Sequence, residues 1–124
     1  CLENKAIYQI MSHDTGLATG ETKQYHQEQA FDVLLNEEGQ ELWLSGIIDR
    51  LHLIKDSYNQ VIRAEIIDFK TDKVVDESTL IDRHQAQLKD YAQAVAQIYA
   101  LPLDQIHCYL VSTDLKELLQ VQVS

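Results

Sequence analysis

Three apolar runs, each closed by a polar break, occupy the middle of the chain. Residues 30–35 form a short run that stops at Asn36-Glu37-Glu38-Gly39, which reads as a strand and its turn. A long apolar-rich run follows from Glu41 to Ile54, and a third, rich in β-branched residues, from Val61 to Lys70. The polar segment from Lys55 to Gln60 between them reads as a turn, so the three runs predict a β-meander. Then the period changes. Leu88, Tyr91, Ala92, Val95, Ile98 and Tyr99 recur at the spacing of an amphipathic helix. Asp82 with Gln85 resembles a capping box at its start, and Pro102 ends it. Ile106 to Val111 reads as a buried strand. Leu119, Val121 and Val123 alternate with Gln120 and Gln122, the pattern of a final edge strand. Three strands, a helix and two further strands predict an α/β (α+β) domain with a mixed sheet.

Residues 1–25 are polar and weakly periodic. Ala6 to Met11 reads as a short helix or strand, and His13 to Gly16 and Thr19 to Thr22 as turns. Order is expected from about His26, giving a poorly defined N-terminal segment, 1–25, and a core, 26–124. A chain of 124 residues suffices for one hydrophobic core. Missing an initiator Met, it is expected to be a piece of a larger protein. No run is long and apolar enough for a membrane span, and no secretory signal opens the chain, so a cytoplasmic protein with no membrane contact is expected. Two cysteines, Cys1 and Cys108, are too few for a disulfide framework or a zinc or iron–sulfur site, and read as reduced thiols.

Charge narrows the function classes. Ten Lys+Arg against 20 Asp+Glu give a net charge of −10, the wrong sign for a surface that grips nucleic acid by itself. Contact with DNA would need a divalent metal, a neighbouring basic domain, or both.

The candidate chemistry lies on the second and third runs. Asp68 and Lys70 share a strand face with Ile62, Ala64 and Ile66, where a carboxylate and an amine are costly unless paired or used. A two-residue turn at Tyr58-Asn59 sets Asp49 opposite Asp68. Like charges facing across a ladder destabilise it, and a cation between them reverses that sign. Converging carboxylates suit Mg²⁺ or Mn²⁺. Lys70 cannot ligate as an ammonium, but it can hold a water or offset negative charge developing on phosphate. A solvated strand end with a local salt bridge would show the same spacing.

The wider context is more specific. Gly46-Ile47-Ile48-Asp49, Asp68-Phe69-Lys70-Thr71 and Gln87-Leu88-Lys89-Asp90-Tyr91 occur in that order. Over residues 26–112 this resembles the RecB-like branch of the PD-(D/E)XK nucleases, most of all the C-terminal nuclease domain of bacterial helicase–nucleases of the AddA/RecB kind. The resemblance implies a restriction-endonuclease-like core. It implies that Asp49, Asp68 and the backbone carbonyl of Phe69 hold Mg²⁺ or Mn²⁺, and that Lys70 positions the attacking water. Gln87 and Tyr91 would line the site and complete the catalytic set, Gly46 would permit close backbone approach, and Thr71 would support the strand end. Glu28 resembles a Glu common in the family's first strand. The family also carries a histidine on a helix before that strand. No histidine here has that setting: His13, His26, His52, His84 and His107 read as structural or surface residues, so the first core helix is expected upstream of this chain.

The implied function is a metal-dependent DNA exonuclease domain within an ATP-dependent helicase–nuclease of break repair and recombination. Its partners would be DNA, the helicase domains of the same parent chain and a second helicase–nuclease subunit. Alternatives are a catalytically inactive module of this fold that binds DNA or a partner subunit, and a metal-dependent phosphoesterase for small substrates. A rival motif fails. Gly16 to Lys23 has the flavour of a phosphate-binding loop, but Glu21 stands where the lysine should follow the second glycine.

Overall fold

A computed structural model describes residues 19–37, 39–71, 76–112 and 117–123. Strands β1 (Thr22–Glu37), β2 (Gln40–Lys55) and β3 (Val61–Lys70) form the meander, followed by helix α1 (Glu77–Tyr99) and strands β4 (Ile106–Ser112) and β5 (Glu117–Val121). The sheet order is β1-β2-β3-β4-β5. Only β3 and β4 pair in parallel, because α1 crosses between them, and the other neighbours are antiparallel. The sheet is mixed, as the strand and helix order predicts. The Ala6–Met11 segment and the His13–Gly16 turn lie outside the described residues.

One face of the sheet packs on α1. Leu51, Leu53, Ala64, Ile66, Ile106, Cys108, Leu110, Leu119 and Val121 meet Leu80, Leu88, Ala92 and Val95 of the helix. The other face is also closed where β3 is central: Ile54, Ile67 and Val111 are all at most 5 % exposed. Burial on both sides is why β3 reads as a nearly continuous apolar run rather than an alternating one.

Several boundaries differ from the expectation, each for a local reason. β1 begins at Thr22, ahead of His26, since its first residues pair along β2 from Lys55 onward. The helix begins at Glu77 and not near Asp82: Asp76 is the cap, its Oδ1 accepting from Thr79 N at 2.9 Å and Thr79 Oγ1 at 2.7 Å. Gln85 instead donates to the Gln122 carbonyl at 3.0 Å. At the other end Ala100 adopts the left-handed conformation (φ 55°), and Pro102 follows.

The β2–β3 connection corrects the two-residue turn. Asn59 N donates to Asp56 O (3.0 Å) and Asp56 N to Gln60 O (2.9 Å), enclosing a three-residue loop with Asn59 left-handed at φ 65°. The register then slips between Lys55↔Val61 and Ile54↔Arg63, leaving Ile62 as an extra residue. The two departures cancel. From Ile54 onward the ladder runs as the shorter turn predicts, down to Arg50↔Ile67.

Candidate active site

The β2–β3 ladder ends at Arg50↔Ile67, and the carboxylates lie just past that point. Asp49 Oδ2 accepts from the backbone N–H of Phe69 at 3.0 Å, so a side chain takes over where the strands fork. Asp68 sits beside it and is only 3 % exposed. Its carboxyl is pushed up to about 6, first by burial and then by Asp49, against the opposing pull of Lys70. Lys70 Nζ stands 2.9 Å from Asp68 Oδ2 and donates to Gln87 Oε1 at 3.1 Å. The lysine contact is an ion pair outside hydrogen-bond alignment, and Oδ2 itself is buried with no hydrogen-bond partner. The structure thus brings Asp49, Asp68, Lys70 and Gln87 together from two strands and the helix.

A distortion in β1 shapes the fork. Glu28 holds a left-handed backbone (φ 50°) opposite Asp49 and drops out of the ladder, although Gln27↔Arg50 and Gln29↔Ile48 pair on either side. Ile48 and Leu51 both join the helix-facing core, which strict alternation along β2 forbids. The pleat is therefore reset at Asp49, between them. Strained residues concentrate at functional sites, and this one stands beside the acid that opens the fork. Glu28 also lines the cavity there, of about 330 Å³, with Gln27, Asp49, Arg50 and Phe69.

Tyr91 and Gly46 are mainly packing residues. The Tyr91 ring meets Phe31 edge-on, centroids 5.4 Å apart. Burial, with the Asp68 and Asp49 charges nearby, raises its hydroxyl above the ordinary tyrosine range. A Cβ on Gly46 would lie 3.1 and 3.2 Å from Phe31 Cζ and Cε1 and 3.3 Å from Tyr91 Cε1. Gly46→Ala is therefore expected to destabilise the chain by about 1–3 kcal/mol, read by thermal unfolding. An unchanged midpoint would show that the two rings give way freely. Gln87, by contrast, is exposed, and only its tip reaches Lys70. Phe69 is 39 % exposed, and Thr71 follows β3 on the surface.

A divalent cation fits this geometry. Two carboxylates, one with a raised pKa and an oxygen that makes no hydrogen bond, are the donor set of a hard ion that keeps several waters. Among the described residues no third His, Cys, Asp or Glu joins them in a metal-binding cluster. Cys108 is no candidate: burial pushes its thiol up to about 12, and its Sγ contacts the Leu88 carbonyl at 3.8 Å. The phosphate-loop lookalike is committed elsewhere, with Glu21 bound to Arg63 (3.0 Å) and Lys23 to Glu65 (3.3 Å).

The family profile of the PD-(D/E)XK nuclease superfamily matches residues 5–121. The chain belongs to this superfamily. The match takes in the strand, strand and helix motifs and reaches further toward the N-terminus than the motif trio. Among curated proteins, this PD-(D/E)XK chain is 38 % identical over 99 residues to an ATP-dependent helicase/nuclease subunit of Streptococcus sanguinis, with 78 % of the chain covered. It is 33 % identical over 115 residues to the protein of that name from Pediococcus pentosaceus, and 34 % over 101 residues to that of Streptococcus pyogenes serotype M5, with 86 % and 80 % of the chain covered. It spans only 7 to 9 % of these relatives' own lengths. Among the described residues of this PD-(D/E)XK chain no helix is long and apolar enough to cross a membrane.

One further polar group is not announced by any of the motifs. His52, fully buried on the face away from α1, bonds Glu65 through Nδ1 (2.9 Å) and accepts from Arg50 Nε (2.8 Å). Burial lowers the His52 pKa, although the Glu65 contact opposes this. Burial works to raise Glu65, yet the contacts from His52 and Lys23 hold it below the ordinary carboxylate range. The signal was available: Arg50 and His52 fall two apart in an apolar run, and the ladder sets His52 against Glu65.

Proposed function

We propose that the chain is the metal-dependent DNA nuclease domain of an ATP-dependent helicase–nuclease, hydrolysing phosphodiester bonds as an exonuclease in double-strand break repair and recombination. The observation that carries this reading is the buried Asp68 carboxylate, with one oxygen that makes no hydrogen bond and meets the Lys70 ammonium, beside Asp49 at the strand fork. Asp49, Asp68 and the Phe69 carbonyl would hold Mg²⁺ or Mn²⁺. When bound, such an ion supplies a water of lowered pKa and stabilises the leaving oxygen.

The remaining work falls to this chain's own groups. Gln87 Oε1 and Asp68 hold the Lys70 ammonium at 3.1 and 2.9 Å, so it faces the site without searching rotamers. From there it orients the attacking water and offsets the charge that builds on the phosphoryl oxygens. Tyr91 fixes the height of the helix over β2 by packing on Phe31 at the bare Gly46. The helicase domains of the parent, and a second helicase–nuclease subunit, would deliver DNA to a domain whose own charge of −10 repels it.

The test uses the full-length parent. Lys70→Ala is expected to lower metal-dependent cutting of end-labelled linear DNA by about 10²-fold or more, with ATP-driven unwinding intact. Chelation by EDTA should abolish cutting in the unsubstituted protein. Cutting that survives both treatments would reject the nuclease assignment in favour of an inactive module.

A further inference from the structure

We propose that Arg50 forms a phosphate-binding subsite at the strand fork, gripping the nucleic-acid backbone beside the bond to be cut. This rests on the nuclease reading and names a second contact with its substrate.

Among the described residues that line the fork cavity, Gln27, Glu28, Asp49, Arg50 and Phe69, Arg50 is the one cation. Lys70, held by Asp68 and Gln87, is not on that lining. Glu28 and Asp49 make the rim acidic, so a phosphodiester backbone running along it requires positive charge in addition to the ion on the carboxylates.

Arg50 is built to be that group. Its Nε donates to His52 Nε2 at 2.8 Å, and its guanidinium lies over the Tyr25 ring, 4.7 Å from the centroid. A guanidinium can only donate, so His52 Nε2 accepts and the imidazole proton is on Nδ1, donated to Glu65 Oε1 at 2.9 Å. Lys23 Nζ holds the same oxygen at 3.3 Å. Tyr25 packs edge-on against His52, centroids 4.4 Å apart. A half-buried relay of Lys23, Glu65 and His52, with His52 fully buried, therefore ends on one edge of Arg50 and fixes the plane of its guanidinium. The terminal nitrogens Nη1 and Nη2 make no hydrogen bond or ion pair with any described residue. A planar fork of donors held rigid on one side and free on the other matches a phosphate, which it can grip with two parallel bonds. No step of the metal-site chemistry uses this relay.

The test uses full-length parent protein and a short single-stranded oligonucleotide, without ATP. For Arg50→Ala the KM is expected to rise about 10-fold or more with kcat within about twofold, and the salt dependence of kcat/KM to flatten by about one unit of slope. Arg50→Lys keeps the charge but loses the fork, so it should recover the slope and only part of the KM. His52→Leu, which cuts the relay and leaves Arg50, should raise KM with the slope unchanged. A purely structural arginine predicts instead a lower thermal midpoint, with KM and slope as in the natural protein, and that result overturns the subsite. Should Arg50→Ala not fold, Arg50→Lys carries the test, and an unchanged KM overturns the subsite there too. If the natural protein cuts and Lys70→Ala does not, a null Arg50 result defeats the subsite alone. If neither lysine nor arginine matters to cutting, the nuclease reading falls with it.

Discussion

Asp68→Asn is expected to abolish cutting of linear DNA, by at least about 10²–10³-fold, while making the metal-free chain more stable at neutral pH. The two effects share one cause. Burial and the neighbouring Asp49 raise the Asp68 carboxyl from 3.8 to about 6, so the folded chain keeps a proton there that the unfolded chain releases. Its contribution to stability is fully present below about pH 3.8, falls as pH rises and is gone above about pH 6. Asparagine has the shape of the protonated acid and no charge to desolvate. The variant should match the natural chain near pH 4 and exceed it by about 2–3 kcal/mol at pH 7 in EDTA. Mg²⁺ or Mn²⁺ should raise the midpoint of the natural chain, most above pH 6, and leave the variant unmoved. Thermal unfolding across pH, with and without metal, reads all of this. A variant less stable than the natural chain at pH 7, or one that cuts DNA at the natural rate, would sink the assignment of Asp68.

Leu88→Ala should have the largest effect on the fold. Leu88 is fully buried between the sheet and the helix, and its backbone carbonyl contacts Cys108 of β4. Truncating it leaves a cavity in the core between α1 and the sheet. The expected loss is about 2–5 kcal/mol, and the midpoint should fall by about 10–20 °C. Typical domains hold only about 5–15 kcal/mol in reserve, so much of the stability would go. Leu42→Ala is the control: Leu42 is 45 % exposed, and its truncation should cost less than about 0.5 kcal/mol. Equal midpoints for the two variants would mean that the helix does not seal this core.

How far these residues could be read beforehand varies with the distance over which each is decided. The strand runs, the helical stripe and the order of the three motifs are local, and the five-strand sheet with its helix follows them. The Asp49–Asp68 alignment was legible through the wrong turn: a three-residue loop and an extra residue at Ile62 offset one another, and the Asp56–Gln60 hydrogen bonds and the unpaired Ile62 distinguish the two routes. The helix start was misplaced because Asp76 and Asp82 are both plausible caps by type, and the hydroxyl of Thr79 favours the first. The break at Glu28 carries no glycine to announce it.

By itself the amino-acid order determined which segments extend, which coils and which acids fall near a strand end, because hydrophobic period and residue type act over a few neighbours. Folding in three dimensions decided the rest: that Asp68 loses water and one oxygen makes no hydrogen bond, that Gln87 steadies Lys70 from the surface, and that a half-buried chain of side chains aims Arg50. Each depends on dielectric and on groups brought from separate strands and the helix, quantities that exist only once the sheet has closed on α1.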